Sequence, residues 1–338
     1  MTVSFIIVAY NAEKSINNLL NCLNRQDYDH RKIEVVLIDG ASTDNTKKIM
    51  TEFAQSSGEF MRVTVDDNPK RTLPCGWNVA LSHAKCDIIL RVDAHAEIAD
   101  DFISQNVKTI MSGQDICGGK VVSVPVENTK WSEIVNVAEN SMFGGSFAAF
   151  RHEEKPCYVS TAAFAAYRKS VFDKVGRYNE NLARTEDNEM HYRMKKAGYR
   201  FYYDPAIRSS RETRSSFKAL LKQKYLNGYW IGLTIGVCPK CFSLYHFVPL
   251  VFVCAIICFS LLGVFGWWLP MLLLCAAYGI FDIANTVISA VKCKFNPYFP
   301  LLLVMFLLLH LSYGIGTLAG LVLLPFKIKK LKTMSNRG

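Results

Sequence analysis

Acidic residues almost vanish from the last part of the chain. Residues 246–338 hold one, Asp282, against seven Lys and Arg, and residues 208–245 again show seven against one. The first 207 residues lack this imbalance, with 25 basic against 27 acidic side chains. A folded region without a basic surface argues against nucleic acid as a partner, because such binders spread cations over the docking face. The basic excess flanks apolar runs instead, the pattern of an anionic lipid surface. A cleavable leader is lacking too: Met1 to Tyr10 is apolar, but it has no basic start and is too short for a membrane span. It reads as a buried first strand, which leaves the first 200 residues in the cytosol. No disulfide framework is visible, since the eleven cysteines are odd in number and scattered, as expected in a reducing compartment. The lone Cys238-Pro-Lys-Cys241 finds no second pair of ligands nearby, so it reads as a juxtamembrane loop and not a zinc site. Internal repeats and low-complexity tracts are also missing.

Half of the 338 residues are apolar, which excludes a disordered or collagen-like chain and allows two units of ordinary size. Residues 1–207 alternate β-rich runs with helix-period stretches. Val3–Ala9, Ile33–Ile38, Met61–Val65 and Ile88–Val92 read as strands. Ala12–Arg25, with Ile16, Leu19, Leu20 and Leu23 at helical spacing, reads as a helix, as do Thr43–Ser56 and Pro74–His83. This order predicts an α/β domain whose mostly parallel sheet has helices on both faces. Ligands of such sheets bind beyond the carboxyl ends of the strands.

Residues 208–234 interleave Arg208, Arg211, Arg214, Lys218, Lys222 and Lys224 with Phe217, Leu220, Leu221 and Tyr225. That predicts an amphipathic helix at a membrane interface, within a basic segment covering 208–245. Three apolar runs follow, at 247–265, 268–291 and 298–326, each long enough to cross roughly 30 Å of hydrocarbon. Trp267, Trp268, Tyr298 and Phe299 occupy interfacial positions. Lys292 and Lys294 agree with a cytosolic start, whereas the tail 327–338, with Lys327, Lys329, Lys330 and Lys332, would then lie outside against the positive-inside tendency. Either the tail breaks that tendency or the third run is re-entrant, its Gly314, Gly316 and Gly320 permitting a bend or close helix packing. Asp282 and His310 are the ionisable groups within the runs, and a mutual pair is one reading of them.

Four segments at or near strand ends carry candidate chemistry: IIVAYN ending at Asn11, LIDGASTD containing Asp39, LRVDAH containing Asp93 and His95, and RTEDNE containing Glu186 and Asp187. Asp39 follows an apolar strand and opens a Gly-containing turn, where a carboxylate is costly unless used or paired. Asp44 either caps the next helix or contacts ligand. Asp93 and His95, read as alternate strand residues, would converge on one divalent cation, with a diphosphate completing its oxygen ligands. Glu186 and Asp187 precede a helix read at 189–197; they either favour its dipole or supply a general base, with Asp187 ahead of Glu186.

In this order, with Gly118-Gly119 and Gly198-Tyr199 between and after them, the motifs resemble family 2 glycosyltransferases of the GT-A fold over residues 3–207. The VDAHAE variant and the membrane segment are most similar to the succinoglycan-biosynthesis ExoA-type branch. Val8, Gly40 and His95 depart from the family pattern, and the QxxRW motif of processive synthases is absent, with Gln223 to Trp230 only an echo of it. The resemblance implies a GT-A, Rossmann-like catalytic domain followed by about three transmembrane helices. It implies nonprocessive, inverting transfer from a UDP-sugar to a lipid-linked acceptor hydroxyl in polysaccharide biosynthesis, at the inner membrane with the catalytic domain in the cytoplasm. Ala9, Tyr10, Asn11, Asp39, Lys70, Arg71 and Asp93 would hold the nucleotide; Asp93 and His95 would hold Mg²⁺ or Mn²⁺; Asp187, with Glu186, would act on the acceptor. Arg208, Arg211 and Arg214 would meet acceptor or lipid phosphates. A polyprenyl-phosphate sugar transferase and a noncatalytic membrane nucleotide-binding module are the alternatives.

Overall fold

The computed structural model describes every residue except 126, 128, 145–152, 214, 215, 293–295 and 333–338. Arg214, Lys294 and the end of the basic tail therefore lie outside the described residues. In chain order the elements are β1 (Val3–Ala9), α1 (Ile16–Asn24), β2 (Ile33–Asp39), α2 (Thr46–Ser56), β3 (Arg62–Asp67), α3 (Leu73–His83), β4 (Ile88–Asp93), β5 (Ala96–Ile98), α4 (Phe102–Met111), β6 (Ile116–Val124) and α5 (Lys130–Asn140). They continue as β7 (Cys157–Val159), β8 (Ala166–Arg168), α6 (Lys169–Val175), α7 (Glu186–Lys196), β9 (Phe201–Glu212), α8 (Phe217–Thr234), α9 (Val248–Val264), α10 (Leu269–Lys292) and α11 (Leu301–Lys332). The described residues form two compact units, one from 1–122 with 153–212 and one from 123–144 with 213–332.

The first unit is built on a sheet ordered β3-β2-β1-β4-β8-β6-β9-β5, with β7 beside β9. Four strands, β3-β2-β1-β4, run parallel, joined by the crossovers through α1, α2 and α3. Beyond β4 the pairing turns antiparallel, at β4–β8, β6–β8, β5–β9 and β7–β9. The sheet is thus parallel in its first half and mixed as a whole. β1 and β2 are buried along their whole length, as interior parallel strands covered on both faces must be. Alternate residues feed different cores: Phe5, Ile7, Val35, Leu37, Leu90 and Val92 pack with α1, α2 and α4. Ile6, Val8, Val36, Ile38 and Ile89 pack with Trp77 of α3 and Met190 and Met194 of α7. By this period-two rule Arg91 and Asp93 project to the α3–α7 face, the side of Ile89. Gly119 lets β6 approach β9 closely, since a Cβ there would stand 1.9 Å from the Ile207 carbonyl oxygen.

The basic segment divides differently from the reading of its sequence. Arg208 and Arg211 belong to β9, not to a helix, and the helix starts only at Phe217. Pairing with β5 draws the chain out to Glu212, because backbone hydrogen bonds to Ala96–Ile98 hold it extended.

In the second unit, three helical segments are long and apolar enough to cross a membrane: Leu244–Val264, Leu269–Val291 and Leu301–Lys329. α11 is one continuous helix, so its glycines serve close packing and not a re-entrant bend. A Cβ on Gly316 would lie 2.1 Å from the Tyr225 carbonyl oxygen of α8, one on Gly320 2.2 Å from that of Tyr229, and one on Gly314 2.2 Å from that of Pro249 in α9. From the other side, Gly228 and Gly232 bring α8 against Tyr313 and Thr317. Small residues facing small residues allow two helix backbones to touch. Ile134, Val135 and Ala138 of α5 share a buried cluster with Leu220, Leu302, Met305, Phe306 and Leu309. A capping box between Thr129 and Ser132 starts α5, and Asn296 donates to the Lys130 carbonyl oxygen at 2.8 Å. Asp282 and His310 do not pair. His310 bonds the Tyr278 hydroxyl through Nδ1 at 2.9 Å and the Phe143 carbonyl oxygen through Nε2 at 2.6 Å, which uses both ring nitrogens. Asp282, one turn beyond Tyr278, is buried, with an Oδ1 that has no hydrogen-bond partner among the described residues.

Candidate active site at the strand ends

The parallel strands bring the first three motifs into one row. Ala9 stands opposite Asp39, Asp39 opposite Asp67, and Val8 opposite Asp93. Asp39 and Asp93 are thus two strand spacings apart, about 10 Å along the carboxyl edge of the sheet. Each strand-to-helix turn on this edge contains one non-glycine residue in the left-handed region: Asn11 (φ 48°) after β1, Ala41 (φ 60°) after β2, and Arg71 (φ 60°) after β3. Such conformations cost free energy and concentrate at ligand sites. The first two turns are stitched together. Asn11 N–H donates to Ser42 Oγ (3.0 Å), Thr43 N–H donates to Asn11 Oδ1 (2.8 Å), and Gly40 N–H donates to the Ala9 carbonyl oxygen (2.7 Å).

Asp39 is 2 % exposed; its Oδ2 accepts from Ser42 N–H at 3.1 Å, while its Oδ1 is buried with no partner among the described residues. A buried acceptor left open at a strand end is one a ligand donor can fill. Tyr10 is exposed beside it. Asp44, by contrast, is occupied locally, accepting from Thr46 N–H at 3.0 Å, Thr46 Oγ1 at 2.6 Å and Glu13 N–H at 3.2 Å, one residue ahead of Asn45, the N-cap of α2. Lys70 forms a 2.6 Å ion pair with Glu180, and Glu180 also accepts from Asn78.

Asp93 ends β4, but His95 lies in the turn before β5 and not in a strand, so period-two alternation does not govern its direction. The chain leaves β4 there to pair Ala96 with Arg211 of β9, which sets Arg211 next to this turn. Arg208 lies on the same strand and reaches Asp101 at 3.4 Å. Among the described residues no three His, Cys, Asp or Glu side chains stand together as a complete metal site. The side chains of Asp93 and His95 make no hydrogen bond or ion pair with described residues. A carboxylate and an imidazole are donors of the kind a divalent cation takes.

The acidic pair sits inside the first turn of α7, not ahead of it; the helix dipole favours carboxylates there. The two acids have opposite surroundings. Glu186 is buried with an Oε2 that has no partner among the described residues, and burial followed by the Asp187 charge pushes its carboxyl up to about 8. Burial would raise Asp187 as well, but the Arg91 guanidinium outweighs it and holds that carboxyl below the usual range. Arg91 forks onto Asp187, with Nη1 on Oδ1 and Nη2 on Oδ2, the latter at 3.1 Å. The Arg91 side chain is 12 % exposed and that of Asp187 42 %, so the carboxylate opens to solvent with the cation behind it. Arg91 also donates to the Tyr178 hydroxyl at 3.0 Å and lies 4.3 Å over the Trp77 ring. The Asp93 charge acts on both Arg91 and Glu186, which places the third and fourth motifs in one electrostatic environment.

Arg91, Trp77 and Tyr178 were not singled out from the sequence. The signal was present in LRVD, an arginine inside an apolar strand, where a buried cation demands a partner.

The sequence pattern described as glycosyl transferase family 2 matches residues 4–176. A dolichyl N-acetyl-alpha-D-glucosaminyl phosphate 3-beta-D-2,3-diacetamido-2,3-dideoxy-beta-D-glucuronosyltransferase of Methanococcus voltae is 25% identical over 326 residues, covering 95% of this chain and 97% of its own. The succinoglycan biosynthesis protein ExoA of Rhizobium meliloti is 27% identical over 330 residues, covering 88% and 92%. A mannosyltransferase of Pyrobaculum calidifontis, solved with GDP-Man and Mn²⁺, superimposes with a TM-score of 0.57 at 17% identity, covering 94% of this chain and 86% of that one, a likeness of fold. With the pattern spanning half of the chain, this chain belongs to glycosyl transferase family 2 and is a glycosyltransferase.

Proposed function

We propose that the protein transfers one sugar from a UDP-sugar to a hydroxyl of a lipid-linked acceptor, with inversion, in the synthesis of a polysaccharide. The observation that carries this reading is the Asp187 carboxylate, half open, held ionised by Arg91 of the strand that ends in Asp93. Asp39, with its open acceptor oxygen, suits the imide N–H of uracil. Ala9, Tyr10 and Asn11 at the end of β1, and Lys70 and Arg71 after β3, are assigned to the rest of the nucleotide. Asp93 and His95 would hold a divalent cation, which would supply positive charge against the leaving diphosphate. Asp187 accepts the proton of the acceptor hydroxyl as its oxygen bonds to the anomeric carbon. The bond from that carbon to the diphosphate oxygen breaks, and the nucleoside diphosphate leaves with the electron pair. A single displacement turns an α-linked donor into a β-linked product, the linkage named in the Methanococcus relative. Glu186, carrying its proton at neutral pH, is the weaker candidate for base.

The acceptor reading is supported by the three apolar helices and by the dolichyl-linked substrate in that relative's name. Arg208 and Arg211, and with them Arg214, are assigned to acceptor or headgroup phosphates, and the chain to a multi-pass place in the inner membrane with its first 207 residues in the cytoplasm. Purified protein in detergent, given radiolabelled UDP- and GDP-sugars and a lipid extract with and without Mn²⁺, should yield lipid-extractable label from one UDP-sugar. The Asp187→Asn variant should lose roughly two to four orders of magnitude in turnover. Undiminished turnover in that variant would favour a phosphate acceptor, already an anion, and overturn the assignment of a base.

A further inference from the structure

The carboxylate of Asp187 hangs from the first turn of a helix, on a side chain with two rotatable bonds. Its hydrogen bonds among the described residues come from Arg91 alone. Arg91, in turn, is held on two further sides. Its guanidinium lies on the Trp77 ring and donates to the Tyr178 hydroxyl. Tyr178 is pinned at its backbone by both halves of the Asn78 amide, its N–H donating to Oδ1 at 2.8 Å and its carbonyl oxygen accepting from Nδ2 at 2.9 Å. Arg91 also belongs to β4, two residues before Asp93 and on the same face of the sheet.

We propose that Arg91 is a positioning residue for the transfer reaction, fixing the Asp187 carboxylate through its fork so that the acceptor-side group is held in register with the strand that carries the donor-side Asp93. This rests on the reading of Asp187 as the base. The planar guanidinium matches both carboxylate oxygens at once and sets the plane of the carboxylate as well as its place; a lysine ammonium keeps the charge but loses that plane. Misplacing a reacting group by 1 Å costs on the order of a hundredfold in rate, so the contribution of Arg91 belongs in kcat and not in donor affinity.

The test is a kinetic cycle on the full chain in detergent, using the UDP-sugar and lipid acceptor that support turnover. Arg91→Lys should lower kcat by roughly ten- to a hundredfold with the KM for the UDP-sugar unchanged. Arg91→Ala should lose more, and added guanidinium ion should restore part of it where sodium chloride at the same ionic strength does not. In the double variant R91A/D187N the losses should not multiply, so that it is no slower than D187N. Should R91A fail to fold, R91K and R91K/D187N complete the same cycle. Multiplying losses, or a wild-type kcat in R91K while D187N is inactive, would overturn the role of Arg91 and leave the base intact. Wild-type turnover in D187N would instead remove the base itself.

Discussion

Adding one methyl group to Gly316 probes the seam between α8 and α11. The new Cβ would stand 2.1 Å from the Tyr225 carbonyl oxygen, whereas ordinary contact begins at 3.4 Å. The obstacle is backbone, so no side chain can rotate away and the helices must part by more than an ångström. Overpacking of this kind costs about 1–3 kcal/mol. A gap of that size also forfeits about a quarter to a half of each neighbouring contact, here around Gly228, Gly232 and Gly320. Against this, alanine is favoured over glycine in a helix by about 1 kcal/mol. The net expectation for Gly316→Ala is a loss of about 1–2 kcal/mol. Gly279 in α10 is the matched control, because a Cβ there meets nothing within 4 Å. Gly279→Ala should be neutral or gain up to about 1 kcal/mol. Equilibrium unfolding in mixed micelles with rising sodium dodecyl sulfate, followed by tryptophan fluorescence, measures both. A midpoint for Gly316→Ala equal to that of Gly279→Ala would refute the packing argument.

Three further outcomes are expected. Because Glu186 is raised in the fold from an ordinary 4.5 to about 8, its protonated form favours folding, and its contribution to stability is full below about pH 4.5 and declines as pH rises to about 8; Glu186→Gln should flatten that decline in a series of melting temperatures across this window. Glu34, 2 % exposed and holding the part-exposed Arg62, Ser4 Oγ and the Lys85 N–H, should cost about 1–3 kcal/mol when replaced by alanine; an unchanged denaturation midpoint would contradict it. Chelation should abolish transfer and Mn²⁺ restore it, and His95→Ala should raise the Mn²⁺ needed for half-maximal rate by about tenfold or more, a titration that an unaltered curve would settle against His95.

The parallel half of the fold was legible because its strands are continuous apolar runs, Val3–Ala9 and Ile33–Asp39 among them, separated by helices of regular period. The three apolar helices were legible for the same reason of scale. Legibility failed where a distant partner decides local conformation. Arg208 and Arg211 fit a helical spacing, yet β5 holds them extended. His95 fits a strand alternation, yet the turn into β5 claims it. The helix containing Glu186 and Asp187 begins three residues before the 189 read from the sequence, since polar residues in a first turn carry no apolar period. Among the candidate site residues, Asp39 stood out as an acid after an apolar strand. Arg91 obeys the same rule from inside the strand, but its meaning depends on Asp187, 96 positions away.

The placement of α5 has a practical bearing on how this protein can be handled. Its sequence falls within the first 207 residues, yet Ile134, Val135 and Ala138 are covered by Leu220 and by four side chains of α11. A gene trimmed after codon 207 would therefore yield a fragment bearing a naked greasy stripe, prone to precipitate or to cling to surfactant. A purification that keeps residues 130–140 together with 217–332 keeps that stripe covered.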